Sequence, residues 1–71
     1  MSMDKRRIHV LRHGYDWATQ REGSARVART FESRDEALDN GRQQAARNGV
    51  ELIVHREDGS IDALAERLPT T

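Results

Sequence analysis

Residues 33–49, SRDEALDNGRQQAARNG, decide the fold, because one segment carries both a helix start and a helix stop. Ser33 with Glu36 makes a capping box: the serine oxygen accepts an orphan N–H of the first turn, and the glutamate reaches back to the cap. Asn48-Gly49 closes the segment, since glycine takes the left-handed conformation that ends a helix. Between these ends Ala37, Gly41 and Ala45 recur every four residues, with Leu38 beside them. That ridge of small residues is at helical spacing and lets a helix lie close against a sheet. A close contact is a reason for Gly41, which in mid-helix costs about 1 kcal/mol relative to alanine. The opposite side, with Arg34, Asp35, Asp39, Arg42, Gln43 and Arg47, reads as solvent-facing.

Working outward, the flanking segments read as strands. Residues 7–13, RIHVLRH, alternate, with Ile8 and Val10 on one side and His9, Leu11 and His13 on the other. Gly14-Tyr15-Asp16 reads as a turn, residues 17–21 as a second strand, Glu22-Gly23-Ser24 as another turn, and residues 25–31 as a third strand ending in Phe31. After the helix, residues 50–55, VELIVH, form the most apolar strand. Arg56-Glu57-Asp58-Gly59 predicts a tight type I′ hairpin, followed by a short strand at residues 60–62. Ile61, Leu64 and Leu68 then fall at helical spacing, so residues 62–71 are expected as a short helical turn or a loose tail. Residues 1–5 are expected as a loose tail within the same single domain.

This order, β-β-β-α-β-β, predicts an α+β two-layer sandwich: a mostly antiparallel sheet with one helix on one face. The helix is expected over Ile8, Val10, Trp17, Phe31, Leu52 and Val54. The open face is left with His9, Leu11, His13, Ala18, Ala28, Ile53 and His55, a mixed surface and the expected interaction face.

Size and composition bound the function. A chain of 71 residues is one domain, and at that size only about 60% of the unfolded surface is buried. There is no cysteine, which excludes disulfide staples, thiolate metal sites and cysteine nucleophiles. A small unstapled core favours a partner subunit, so a homodimer is expected. No run approaches the roughly 18 apolar residues of a membrane span. The start, MSMDKRR, has charges without an apolar stretch behind them, so no signal peptide is read and a bacterial-type cytoplasm is expected. Net charge is zero, yet residues 1–31 hold seven basic and three acidic groups, and residues 32–71 five basic and nine acidic. Such asymmetry marks a basic binding face, or two faces that attract copies of one protein.

Several short pieces, in order, carry a resemblance: Ile8-His9-Val10, Gly14 with Trp17-Ala18, Arg21-Glu22-Gly23, Phe31, Ser33, Glu36-Ala37, Ala45, residues 51–55 (ELIVH) and residues 58–61 (DGSI). Together they resemble a family of small bacterial proteins known as domain of unknown function two-one-eight-eight, over most of the chain. Members often have proline near the position of Arg12 and end in a polar Ser-Tyr-Gly tail, whereas this chain ends in DALAERLPTT. The resemblance implies a fold and a bacterial origin, and carries over no catalytic residue.

The candidate sites are few. His9 and His13 are four apart, a spacing that suits a metal on a helix, but on a strand it spans about 13 Å. Bonds of about 2 Å to one zinc do not bridge that distance. His55 can approach one of them across the sheet, yet two histidines without a third ligand make a poor site. No metal, cofactor or small-molecule substrate is therefore expected. Nucleophilic catalysis needs a nucleophile, a base and an orienting group, and nothing here spaces those roles. There is no P-loop, dinucleotide turn or HExxH. The expected function is a non-enzymatic module that binds itself or another protein through the open face. The alternative is nucleic-acid binding, with Arg6, Arg7, Arg12, Arg21, Arg26 and Arg29 of a basic three-stranded sheet as phosphate contacts.

Overall fold

The computed structural model describes residues 6–67, with side chains as far as residue 62. Its elements are β1 (Ile8–His13), β2 (Asp16–Arg21), β3 (Arg29–Phe31), α1 (Arg34–Asn48), β4 (Glu51–His55) and β5 (Ile61–Arg67). They build the expected α+β sandwich. The five strands lie in the order β3-β2-β1-β4-β5. All neighbours are antiparallel except β1 and β4, which pair in parallel with Ile8 opposite Leu52 and Val10 opposite Val54. The helix thus carries the chain from the β3 edge, across one face, to the far side of β1. Among the described residues no helix is long and apolar enough to cross a membrane.

Both helix ends are closed as the sequence predicts. Ser33 is extended and its oxygen accepts from the Glu36 N–H at 3.2 Å. The Glu36 carboxylate in turn accepts from the Ser33 hydroxyl at 3.1 Å. Gly49 sits at φ 66°, and the N–H groups of Gly49 and Val50 donate to Ala46 and Ala45. Ala37, Gly41 and Ala45 are the buried helix residues. They pack on Ile8, Val10, Trp17, Leu52 and Val54, with Phe31 and Leu38 at the margin. Gly41 is the point of closest approach: a methyl there would stand 2.7 Å from Val10 Cγ2 and 3.1 Å from Leu52 Cδ1. Thr19 beneath it is fully buried, and its hydroxyl accepts from Gln44 Nε2 at 3.2 Å.

Four local expectations are corrected. The third strand is only Arg29–Phe31, not residues 25–31. Local bonds hold the chain before it: Gln20 Nε2 donates to the Ser24 carbonyl at 2.7 Å and the Ser24 hydroxyl to the Arg26 carbonyl at 3.1 Å. Side chains thereby compete with the ladder. Turn 56–59 is not type I′, because no residue other than glycine has positive φ. Asp58 instead uses its carboxylate to accept from the Ser60 N–H and hydroxyl, and only Gly59, at φ 92°, turns left-handed. That is a three-residue loop with a glycine bulge. The backbone from residue 62 to Arg67 continues as strand rather than helical turn, pairing irregularly with β4. The open ladder of β4 offers each residue a backbone partner that one isolated helical turn lacks. Finally, the outer side of α1 is not all solvent-facing: the Arg34 guanidinium lies 5.6 Å from the Trp17 ring centre and reaches Asp62 at 2.6 Å.

Candidate functional site

The sheet face away from α1 follows from strand alternation. Leu11 stands opposite Ala18 across β1 and β2, and His9 lies level with Ile53 across β1 and β4. His9, Leu11, Ala18, Ile53 and His55 form the floor of this face. Ala18 is fully buried and Ile53 is 6% exposed, so they are a floor rather than a projecting patch. Leu11 and the two rings are half-buried. His13 is exposed at the hairpin end, opposite Asp16. Ala28 leaves the group: it lies before β3 and lines a hollow with residues of α1. The reason is the late start of β3 at Arg29, which releases Ala28 from strand alternation.

A groove of about 300 Å³ crosses this face, lined by His9, Leu11, Gln20, Glu22 and His55 among others. His9 and His55 meet in it. His9 Nδ1 is 2.9 Å from His55 Nε2, and the ring centres are 5.2 Å apart. His55 Nδ1 lies 3.1 Å from the Gly59 carbonyl, and His9 Nε2 lies 3.1 Å from Glu22 Oε1. A carbonyl only accepts, so His55 Nδ1 carries a proton, and the inter-ring contact takes a second. Glu22, as a carboxylate, also only accepts. Satisfying all three contacts therefore takes three N–H protons on two rings, one more than two neutral imidazoles carry. Glu22 is shared between this pair and Arg7, whose Nη1 lies 3.9 Å from the same carboxylate oxygen. The Ser24 hydroxyl, which also lines the groove, bonds to the Arg26 carbonyl rather than to either ring.

The arginines named from the sequence do not assemble on one sheet face. Arg6 and Arg7 precede β1, and Arg7 Nε donates to Glu51 at 2.8 Å. Arg12 stands on the helix side, 5.7 Å from the Trp17 ring centre, with Nη1 donating to Glu57 at 2.6 Å. Arg26 is exposed in the connection before β3. Arg21 and Arg29 lie toward α1, lining the same hollow as Ala28. The charge asymmetry between the two parts of the sequence is thus partly internal: Arg7 and Arg12, from the basic part, pair with Glu51 and Glu57 of the acidic part.

At the other end of the helix side, Trp17, Arg34, Arg56, Glu57, Asp58 and Asp62 surround a hollow of about 630 Å³. Two arginines face three carboxylates there. Hydrogen bonds from Arg56 and Arg34 hold the Asp62 carboxyl below its ordinary value, and those from Ser60 do the same for Asp58. Among the described residues no group of three or more histidines or carboxylates is placed to hold a metal ion.

The sequence put His55 within reach of His9 or His13 across the sheet, and the parallel pairing of β1 with β4 decides that it meets His9. The helix residues beside Arg21 and Arg29 had a sequence signal, their spacing along α1, but that side read as plain solvent surface.

Fold and face together define a small α+β domain in which the one helix among the described residues covers one side of the sheet. The model of the family described as an uncharacterized protein conserved in bacteria, domain of unknown function 2188, matches residues 8–63, and the chain belongs to that family. A curated relative, the uncharacterized protein YdaT of Bacillus subtilis strain 168, is 40% identical over 53 residues. The match covers 75% of this chain and 35% of the relative, so the chain spans about a third of that protein's length. No solved structure is significantly similar to the chain.

Proposed function

We propose that this chain is a non-enzymatic self-association module of the bacterial cytoplasm, pairing with a second copy through the open sheet face. The observation that carries the reading is the groove formed by half-buried Leu11 and the His9–His55 pair over a floor of Ala18 and Ile53, on the sheet face away from α1. The core makes a partner valuable. The inner face of α1 is Ala37, Gly41 and Ala45, which bury little apolar area, and stabilisation scales at about 25 cal/mol per Å² of such area. The rim also suits a copy of itself: Arg7 stands beside Glu22 and Glu51, so a two-fold pairing sets positive against negative groups in both directions.

Static light scattering on the wild type and on Leu11→Glu tests this. Leu11 is the choice because Ile53, being buried, would unfold the chain if charged. The wild type is expected at twice the chain mass at high micromolar concentration, and the folded variant at the single mass. A wild type that stays monomeric, or a Leu11→Glu protein that stays dimeric, refutes the proposal.

A further inference from the structure

Most arginines with a described partner are answered by the chain's own acids: Arg7 by Glu51, Arg12 by Glu57, Arg34 and Arg56 by Asp62. Arg29 and Arg47 differ. Both are exposed, and neither has an acid partner among the described residues; the Arg29 guanidinium lies 5.3 Å from the Phe31 ring centre. The two face one hollow of about 600 Å³, where the end of β2, the start of β3 and the last two turns of α1 meet. Arg21 lines it from β2, and the carboxamides of Asn40, Gln43 and Asn48 line it from the helix. No carboxylate is among its lining residues.

We propose that this hollow binds phosphate groups of a nucleic-acid strand. Guanidinium forks match phosphate oxygens two bonds at a time, and three of them here come from three different elements. The Asn40 carbonyl is taken by Gln44 Nε2, which leaves its amide N–H groups as donors. Carboxamides beside arginines also reach sugars and base edges. An extended polyanion suits guanidinium groups spread over three elements better than a compact one does, and Arg26, exposed three residues before Arg29, adds a further positive group. The C-terminal end of a helix opposes anions. Here two of its last carbonyls, of Ala45 and Ala46, are occupied by the Val50 and Gly49 N–H groups, and Arg47 stands over that end. The site lies on the helix side, so it is independent of association through the open face.

The test is fluorescence anisotropy with labelled mixed-sequence single strands and duplexes, from low to moderate salt, with inorganic phosphate as competitor. Binding is expected at low salt, and Arg29→Gln and Arg47→Gln should each lower the slope of log affinity against log salt by about 1. Arg56→Gln, whose native partner is Asp62 and which does not line the hollow, should leave the slope unchanged. In the wild type, side-chain amide signals of Asn40, Gln43 and Asn48 should move on adding strand, a readout that needs no variant to fold. Three results overturn the proposal: no binding at low salt, equal loss in Arg56→Gln, or amide shifts produced by inorganic phosphate but not by strands.

Discussion

Replacing Gly41 with alanine sets a helix-propensity gain against a packing loss, and the geometry decides which wins. In an exposed helix the change gains about 1 kcal/mol. Here the new methyl would stand 2.7 Å from Val10 Cγ2 and 3.1 Å from Leu52 Cδ1. Carbon atoms pack at about 3.5–4.0 Å, so the first contact is roughly 1 Å too short. Val10 and Leu52 are both fully buried and have nowhere to move. Overpacking of this kind costs about 1–3 kcal/mol, leaving a net loss of about 1 kcal/mol, with Gly41→Leu losing more. The pairing with Val10 gives a sharper form of the test. Val10→Ala alone should cost roughly 2 kcal/mol, about 1 for each buried carbon removed. It also clears the space the new methyl needs, so the double variant should be more stable than the sum of the singles predicts, by about 1 kcal/mol. Urea unfolding followed by Trp17 fluorescence measures all four proteins. If Gly41→Ala were more stable than the wild type by the full helix-propensity gain, α1 would not lie as close to the sheet as described.

Two smaller effects test the frame around that contact. Ser33→Ala should cost about 1 kcal/mol through loss of the cap bond to the Glu36 N–H, read as a lower urea midpoint at unchanged slope. Asp62, lowered below 3.8 by Arg56 and Arg34, should stabilise the fold at all pH values above 3.8 and lose that contribution as pH falls below it, because the unfolded carboxyl protonates first. Midpoints of the wild type and Asp62→Asn should therefore differ at neutral pH and converge in acid.

Much of the fold was legible because its signals are local. Ser33, Glu36 and Gly49 mark helix ends within a few residues, and alternation in β1 and β4 separates Val10 and Leu52 from His9 and Ile53 without knowing the partner strands. What was not legible depends on distant choices. Nothing near residue 62 reveals that β4 has an open ladder for it, so Ile61 and Leu64 read as helical spacing. Ser24 and Gln20 hold a loop where residues 25–31 read as strand. The candidate face divides the same way: Leu11 and Ile53 follow from alternation, whereas the His9–His55–Glu22 chain requires the parallel β1–β4 register. The arginine hollow joins Arg21 and Arg29 to Arg47, which crossover of the helix brings back beside the second and third strands.

The central claim is that the open sheet face binds a second copy. Methyl spectra of the wild type recorded across a dilution series test it most directly. Concentration-dependent shifts are expected for the methyl groups of Leu11 and Ile53, with those of Ile8, Val10 and Leu52 on the covered face unmoved. Shifts confined to the helix side, or none at any concentration, would contradict it.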